Sequence, residues 1–254
     1  MAMFGVTTST PIPDEFITSH AAWEGYIAHI WQQLLGHYGV ERKDTLIEIA
    51  PGCSSKVGLA LQKIAFEGTL YLVDPLGSAL EAVTEKYAKY LPKAVIYPIQ
   101  TTLHKALPLL PKKPDFLLAN HPLDDMLLAA ITESVTPELF VCTSKAYTQS
   151  RLALEKEPTK FISFVISCWQ RAVEELLPGM TIVCQYPSLI LKQHNLHSLN
   201  IYAALIMEGL KKHCPSTLER PEVLQRLLNA HENFGDEHIG TEVLNAKNWM
   251  VLKR

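Results

Sequence analysis

TLIEIAPGCSSKVGLALQKIAFEGTLYLVDP, residues Thr45–Pro75, decides the fold. The apolar run Leu46-Ile47-Glu48-Ile49 stops at a Pro51-Gly52 turn. Val57, Leu59, Ala60, Leu61 and Ile64 then fall near helical spacing, and a second apolar run, Thr69 to Val73, ends in Asp74. The order is strand, turn, helix, strand, with an acid near the end of each strand. A βαβ unit of this kind builds a nucleotide cleft at the carboxyl ends of parallel strands. Its turn opens a helix whose free N–H groups and positive dipole end face the ligand. Asp74 is placed to accept hydrogen bonds from ribose, two acceptor oxygens matching two adjacent hydroxyls.

On the N-terminal side, Ser19–Tyr38 reads as an amphipathic helix carrying Trp23, Ile27, Ile30, Trp31 and Leu34, with Ser19 as a cap. On the C-terminal side, helices are expected over Gly77–Leu91, Thr101–Leu110, Asp124–Thr132, Phe161–Leu177, Leu199–His213 and Pro221–Asn229. Strands are expected over Ala94–Tyr97, Asp115–Ala119, Thr181–Gln185 and Asn248–Leu252. Glu138–Thr143 is a short apolar run of either type, Tyr147–Pro158 reads as an exposed polar excursion, and Ser188–Gln193 reads as strand or extended. Alternation of strand and helix argues a mostly parallel sheet covered on both faces.

The 254 residues suit one large domain, and 48% apolar content is ample for its core. No apolar run approaches the roughly 18 residues of a membrane span. The N-terminal MAMFGVTTSTPIPDEF has no basic region followed by an apolar core and does not read as a secretory signal. The net charge is −3 and basic residues do not cluster, which argues against a dedicated nucleic-acid surface. The five cysteines are widely spaced without a CxxC, favouring reduced thiols in a cytoplasmic protein over disulfides or structural zinc.

Glu48-Ile49-Ala50-Pro51-Gly52-Cys53-Ser54 resembles the E/D-x-G-x-G-x-G loop of class I S-adenosylmethionine (SAM)-dependent methyltransferases. Leu72-Val73-Asp74 looks like their second motif, and Leu176-Leu177-Pro178-Gly179-Met180 resembles the L-x-P-G-G turn before their fifth strand. The resemblance covers roughly residues 45–185 and the last strand. Of the family's loop glycines only Gly52 is kept; Ala50 and Ser54 are small, but neither takes positive φ as readily. The resemblance implies a Rossmann-like three-layer α/β sandwich, with a mostly parallel seven-stranded sheet, helices on both faces and an antiparallel last strand. Residues 1–44 would form an N-terminal arm and helix, and residues 45–254 the methyltransferase-like domain.

The resemblance also implies SAM as cofactor and assigns its contacts. Glu48, Ala50, Gly52 and Ser54 would meet the methionine portion. Asp74 would hold the ribose, Pro75 and Leu76 would pack on adenine, and Gln100 and Thr101 would read its amino group. Asn120-His121-Pro122-Leu123 falls where amino-methyltransferases carry (N/D)-P-P-(Y/F), so Asn120 faces both cofactor and acceptor, and the stacking aromatic is replaced by Leu123. His121 is the candidate general base or substrate orienter, since a neutral imidazole accepts a proton near working pH.

Asp124 and Asp125 suit a cationic group, an ion or helix capping. Trp23, Tyr26 and Trp31 suit either a roof over the site or a core stripe. Cys53 reads as a packing residue. His194 and His197 lack a third ligand nearby, and no metal site is expected. The expected activity is methyl transfer to an acceptor, most simply a small molecule, with no membrane or nucleic-acid partner. A nicotinamide-dependent oxidoreductase and a non-catalytic scaffold on the same fold are the alternatives.

Overall fold

The structure is a computed structural model and describes residues 14–135, 152–187, 197–213, 217–229 and 242–254. Its sheet is built from β1 (Thr45–Ile49), β2 (Thr69–Val73), β3 (Val95–Ile99), β4 (Phe116–Asn120), β5 (Met180–Cys184), β6 (Thr217–Leu218) and β7 (Trp249–Lys253). The order across the sheet is β3-β2-β1-β4-β5-β7-β6. Neighbours from β3 through β5 are parallel, and β7 runs antiparallel to both β5 and β6. The expected seven full strands are thus six of five residues, with β6 reduced to a two-residue edge pairing among the described residues.

Successive side chains along each strand enter opposite layers. Ile47, Ile49, Leu117, Ala119, Val183, Met250 and Leu252 join one buried cluster. That layer is closed by α4 (Leu103–Ala106), α5 (Leu123–Val135), α6 (Pro158–Leu176) and α7 (His197–His213). Leu46, Leu72, Phe116, Leu118, Ile182, Trp249 and Val251 join the other cluster. There α1 (Asp14–His37), α2 (Lys56–Lys63), α3 (Gly77–Tyr90) and α8 (Pro221–Leu228) cover the sheet. From α1, Ile27, Ile30, Trp31, Leu34 and Leu35 are fully or almost fully buried in this layer, and the Trp31 ring lies 5.3 Å from that of Trp249.

Several boundaries differ from the sequence expectation. Helix α1 begins at Asp14, directly after Pro13, so Ser19 lies inside it and is not its cap. Helix α4 is a single turn, continued as a 3-10 turn over Leu107–Leu109, because Pro108 removes a helical donor. Strand β3 continues through Pro98 to Ile99, which an edge strand tolerates. Of the expected polar excursion, residues 147–151 lie outside the described residues, while residues 152–156 are helical and bury Leu154 in the core. Residues 138–143 and 188–193, and His194, lie outside them too.

From β1 the chain winds outward through β2 and β3, then crosses back to β4 and winds the other way to β5. The sheet therefore has its topological switch point between β1 and β4, where a crevice opens beyond the carboxyl ends. One glycine in α2 secures the packing beneath it. A Cβ at Gly58 would lie 2.3 Å from the Tyr87 ring, which is fully buried. Gly58→Ala is expected to lower stability by about 1–3 kcal/mol through overpacking, despite alanine's better helix propensity. Urea unfolding measures it, and an unchanged or raised midpoint contradicts the packing account.

Candidate functional site

Two non-glycine residues with left-handed backbone stand at the switch point: Ala50 (φ 51°) directly after β1 and His121 (φ 61°) directly after β4. An L-residue in this region costs about 1–2 kcal/mol, and such outliers gather where the chain is shaped for a ligand. Gly52 (φ 59°) completes the turn after β1. Ala50 thus adopts the conformation for which glycine is better suited. Its N–H is fixed to the Val73 carbonyl at 2.8 Å.

Side chains from three other elements hold the turn. Asp74 Oδ2 accepts from Gly52 N at 3.1 Å, and its Oδ1 accepts from Leu76 N at 2.8 Å. Lys86 of α3 donates to the Cys53 carbonyl at 2.8 Å. Glu24 of α1 accepts from Ser55 N at 3.2 Å and from Ser55 Oγ at 3.3 Å. The Ser54 hydroxyl oxygen is buried without a hydrogen-bond partner among the described residues. Burial raises the Asp74 carboxyl above its ordinary value despite its two N–H bonds, and raises the Cys53 thiol despite Lys86, so Cys53 is not an activated nucleophile.

Glu48 points into the layer of α1–α3. Its Oε2 accepts from the Tyr87 hydroxyl at 2.7 Å, a partner the sequence did not reveal. Burial drives the Glu48 carboxyl from 4.5 up to about 8, against the Tyr87 bond and Lys56. Gln100 and Thr101 follow β3, and the Gln100 amide lies against Gly77; a Cβ there would approach its Nε2 to 2.7 Å. Pro75 and Leu76 are half-buried beside it.

Beyond β4, Asn120 Oδ1 accepts from the Trp31 indole at 2.8 Å. The Asn120 side chain, like Lys56, opposes the rise that burial imposes on the Tyr186 hydroxyl. Lys56 Nζ donates to the same phenol oxygen at 3.2 Å. Tyr186 follows β5 and is buried, which raises its hydroxyl above the ordinary value and keeps it a phenol. Trp23 and Tyr26 of α1 pack near it, with Trp23 5.8 Å from the Tyr186 ring.

His121, expected as a general base or substrate orienter, has a polar group at each ring nitrogen. Its Nε2 faces the Tyr186 carbonyl at 2.5 Å, and its Nδ1 faces Asp124 Oδ1 at 3.2 Å. The Gln185 amide nitrogen also reaches His121 Nε2, at 3.4 Å, so both ring nitrogens have polar partners. Gln185 completes the clamp, accepting from Leu123 N at 2.8 Å and donating to Asp124 Oδ1 at 3.1 Å. Burial opposes ionisation of Asp124, yet His121 and Gln185 hold it below the usual carboxylate range. Asp125 makes no hydrogen bond or ion pair among the described residues; burial, then Asp124 and Asp74, push its carboxyl well up. No group of three metal-ligating side chains occurs among the described residues.

Of the expected site residues, the crevice gathers Ala50, Gly52, Ser54, Asp74, Asn120 and His121. Glu48 lies below it on Tyr87, and Gln100 and Thr101 lie at the β3 end. Lys56, Tyr186, Glu24 and Gln185 were missed. Lys56 alone left a trace, a cation in the first turn of a helix where the dipole disfavours it.

No protein-family model matches the sequence, and no curated protein is similar to it. Solved structures are similar in chain path. Magnesium protoporphyrin IX methyltransferase from Synechocystis, with bound SAM, matches at TM-score 0.44 and 8% identity over 83% of this chain and 77% of its own. A SAM-dependent methyltransferase from Aquifex aeolicus gives 0.43 and 12% over 75% and 81%. The plantazolicin methyltransferase BpumL, with SAH (S-adenosylhomocysteine), gives 0.45 and 11% over 91% and 84%.

Two predictions follow from this geometry. Ala50→Gly is expected to hold or raise stability, because the relieved strain of about 1–2 kcal/mol exceeds glycine's entropic cost of about 0.4–1 kcal/mol; thermal melts measure it, and clear destabilisation contradicts it. Between pH 4.5 and about 8 the folded protein keeps a proton on Glu48 that the unfolded chain releases. This group's contribution is full at acid pH and is lost as pH rises, at up to about 1.4 kcal/mol per unit. Urea unfolding across that range should show a shallower decline for Glu48→Gln than for the parent protein.

Proposed function

We propose that the protein is a SAM-dependent methyltransferase acting on a small molecule in the cytoplasm. One observation carries the reading: the left-handed Ala50–Gly52 turn lies at the switch point and is bound to Asp74 at the end of β2. It joins the loop and the acid of the two sequence motifs in one place. The residues fit the cofactor. Each Asp74 oxygen accepts one N–H and keeps a second lone pair for a ribose hydroxyl. The partnerless Ser54 hydroxyl and the unpaired Asp125 complement the polar and cationic ends of the methionine portion. Pro75, Leu76, Gln100 and Thr101 serve the adenine side, and Ala50, Gly52 and the Asn120 backbone border the middle.

SAM supplies a methyl group already activated by the sulfonium. The chain then needs only to orient the acceptor in line and exclude water. No helix among the described residues is long and apolar enough to cross a membrane. A nicotinamide-dependent oxidoreductase remains the competing enzyme reading, and calorimetry separates the two. SAM is expected to bind with micromolar Kd and NADH not to bind. Asp74→Asn should weaken SAM by about tenfold or more, with the folded state retained, because one ribose acceptor is lost. NADH binding without SAM binding favours the oxidoreductase, and binding of neither favours a scaffold.

A further inference from the structure

At the ends of β4 and β5 two donors, Lys56 Nζ and the Tyr186 hydroxyl, lie together, with the Asp125 carboxyl in electrostatic range of Lys56. The Tyr186 oxygen receives Lys56 Nζ at 3.2 Å, which leaves its own O–H to donate. Lys56 has no carboxylate at ion-pair distance among the described residues, and its one hydrogen-bond partner there is that phenol.

On the reading of this crevice as a methyl-transfer site, we infer that Lys56 and the Tyr186 hydroxyl bind the acceptor, and that this acceptor is a carboxylate. A carboxylic acid, with a pKa of roughly 4, is ionised at neutral pH without help from a base. Lys56 pairs with one oxygen through a charge-assisted bond and Tyr186 donates to the carboxylate. Trp23, packed against Tyr186 and backed by Tyr26, gives the acceptor's carbon skeleton an aromatic wall. The carboxylate oxygen bonds to the methyl carbon as the carbon–sulfur bond breaks. The electron pair stays on sulfur, no proton moves, and the products are a methyl ester and a neutral thioether.

The test uses the full chain. SAM affinity is measured first; then the protein loaded with SAH is titrated with benzoate and octanoate, and with benzylamine and octylamine. The carboxylates are expected to bind about tenfold or more tightly than the amines. Lys56→Met and Tyr186→Phe should each weaken the carboxylates by about tenfold while SAM affinity stays within about threefold; Lys56→Arg should keep part of the binding. Labelled SAM should yield a product whose methyl group is released as methanol by alkali. A preference for amines overturns the inference. So does an equal loss of SAM affinity in Lys56→Met, which would place the cofactor's own carboxylate on that lysine. Absence of SAM binding removes the methyl-transfer reading and this inference together; SAM binding without carboxylate preference removes the inference alone.

Discussion

The carboxylate of Asp74 is the joint on which the crevice depends. It takes one N–H from the turn after β1 and one from the entry to α3. The two parallel strands that build the nucleotide side are thereby clamped where their backbone pairing ends. Without an acceptor at this point, two buried donors would face each other across a turn containing a strained alanine. The other supports, Glu24 on Ser55 and Lys86 on the Cys53 carbonyl, act from the far side of the same loop. A turn with fewer glycines is held by side chains where a glycine-rich one relies on backbone freedom.

The second half of the site is organised by the Trp31 indole. By binding Asn120 Oδ1 it fixes which way the amide points. The helix before the first strand therefore does more than cover the sheet. It also anchors the end of β4, beside the place where Lys56 meets Tyr186 and acts on the Asp125 carboxyl.

The parallel strands and their intervening helices were legible because parallel strands read as short apolar runs and each turn was marked by Pro, Gly or an acid. Asp74 and Gly52 were legible from spacing. Glu48 was found as a residue but not as a buried partner of Tyr87, because that contact joins positions 39 apart through a fold the sequence does not spell out. Tyr186 escaped for the same reason: the motif at Leu176–Met180 marks the start of β5, and none marks its far end. His121 was seen as a chemical type, while its engagement by Tyr186 and Asp124 depends on two strand ends meeting. Two-residue β6 is too short to give any period at all.

Strand β3 leaves one side of the sheet open, with Val95 and Tyr97 about half exposed at 49% and 47%. Such an edge invites another chain to pair with it. Val95 N donates inward to the Gly68 carbonyl. By alternation, the N–H groups at 97 and 99 also turn inward, and those at 96 and 98 outward. Position 98 is proline, so the outward row loses a donor in its middle. A neighbouring molecule laid along this edge would meet an interrupted ladder, and the protein keeps an exposed apolar rim without becoming a template for its own polymer.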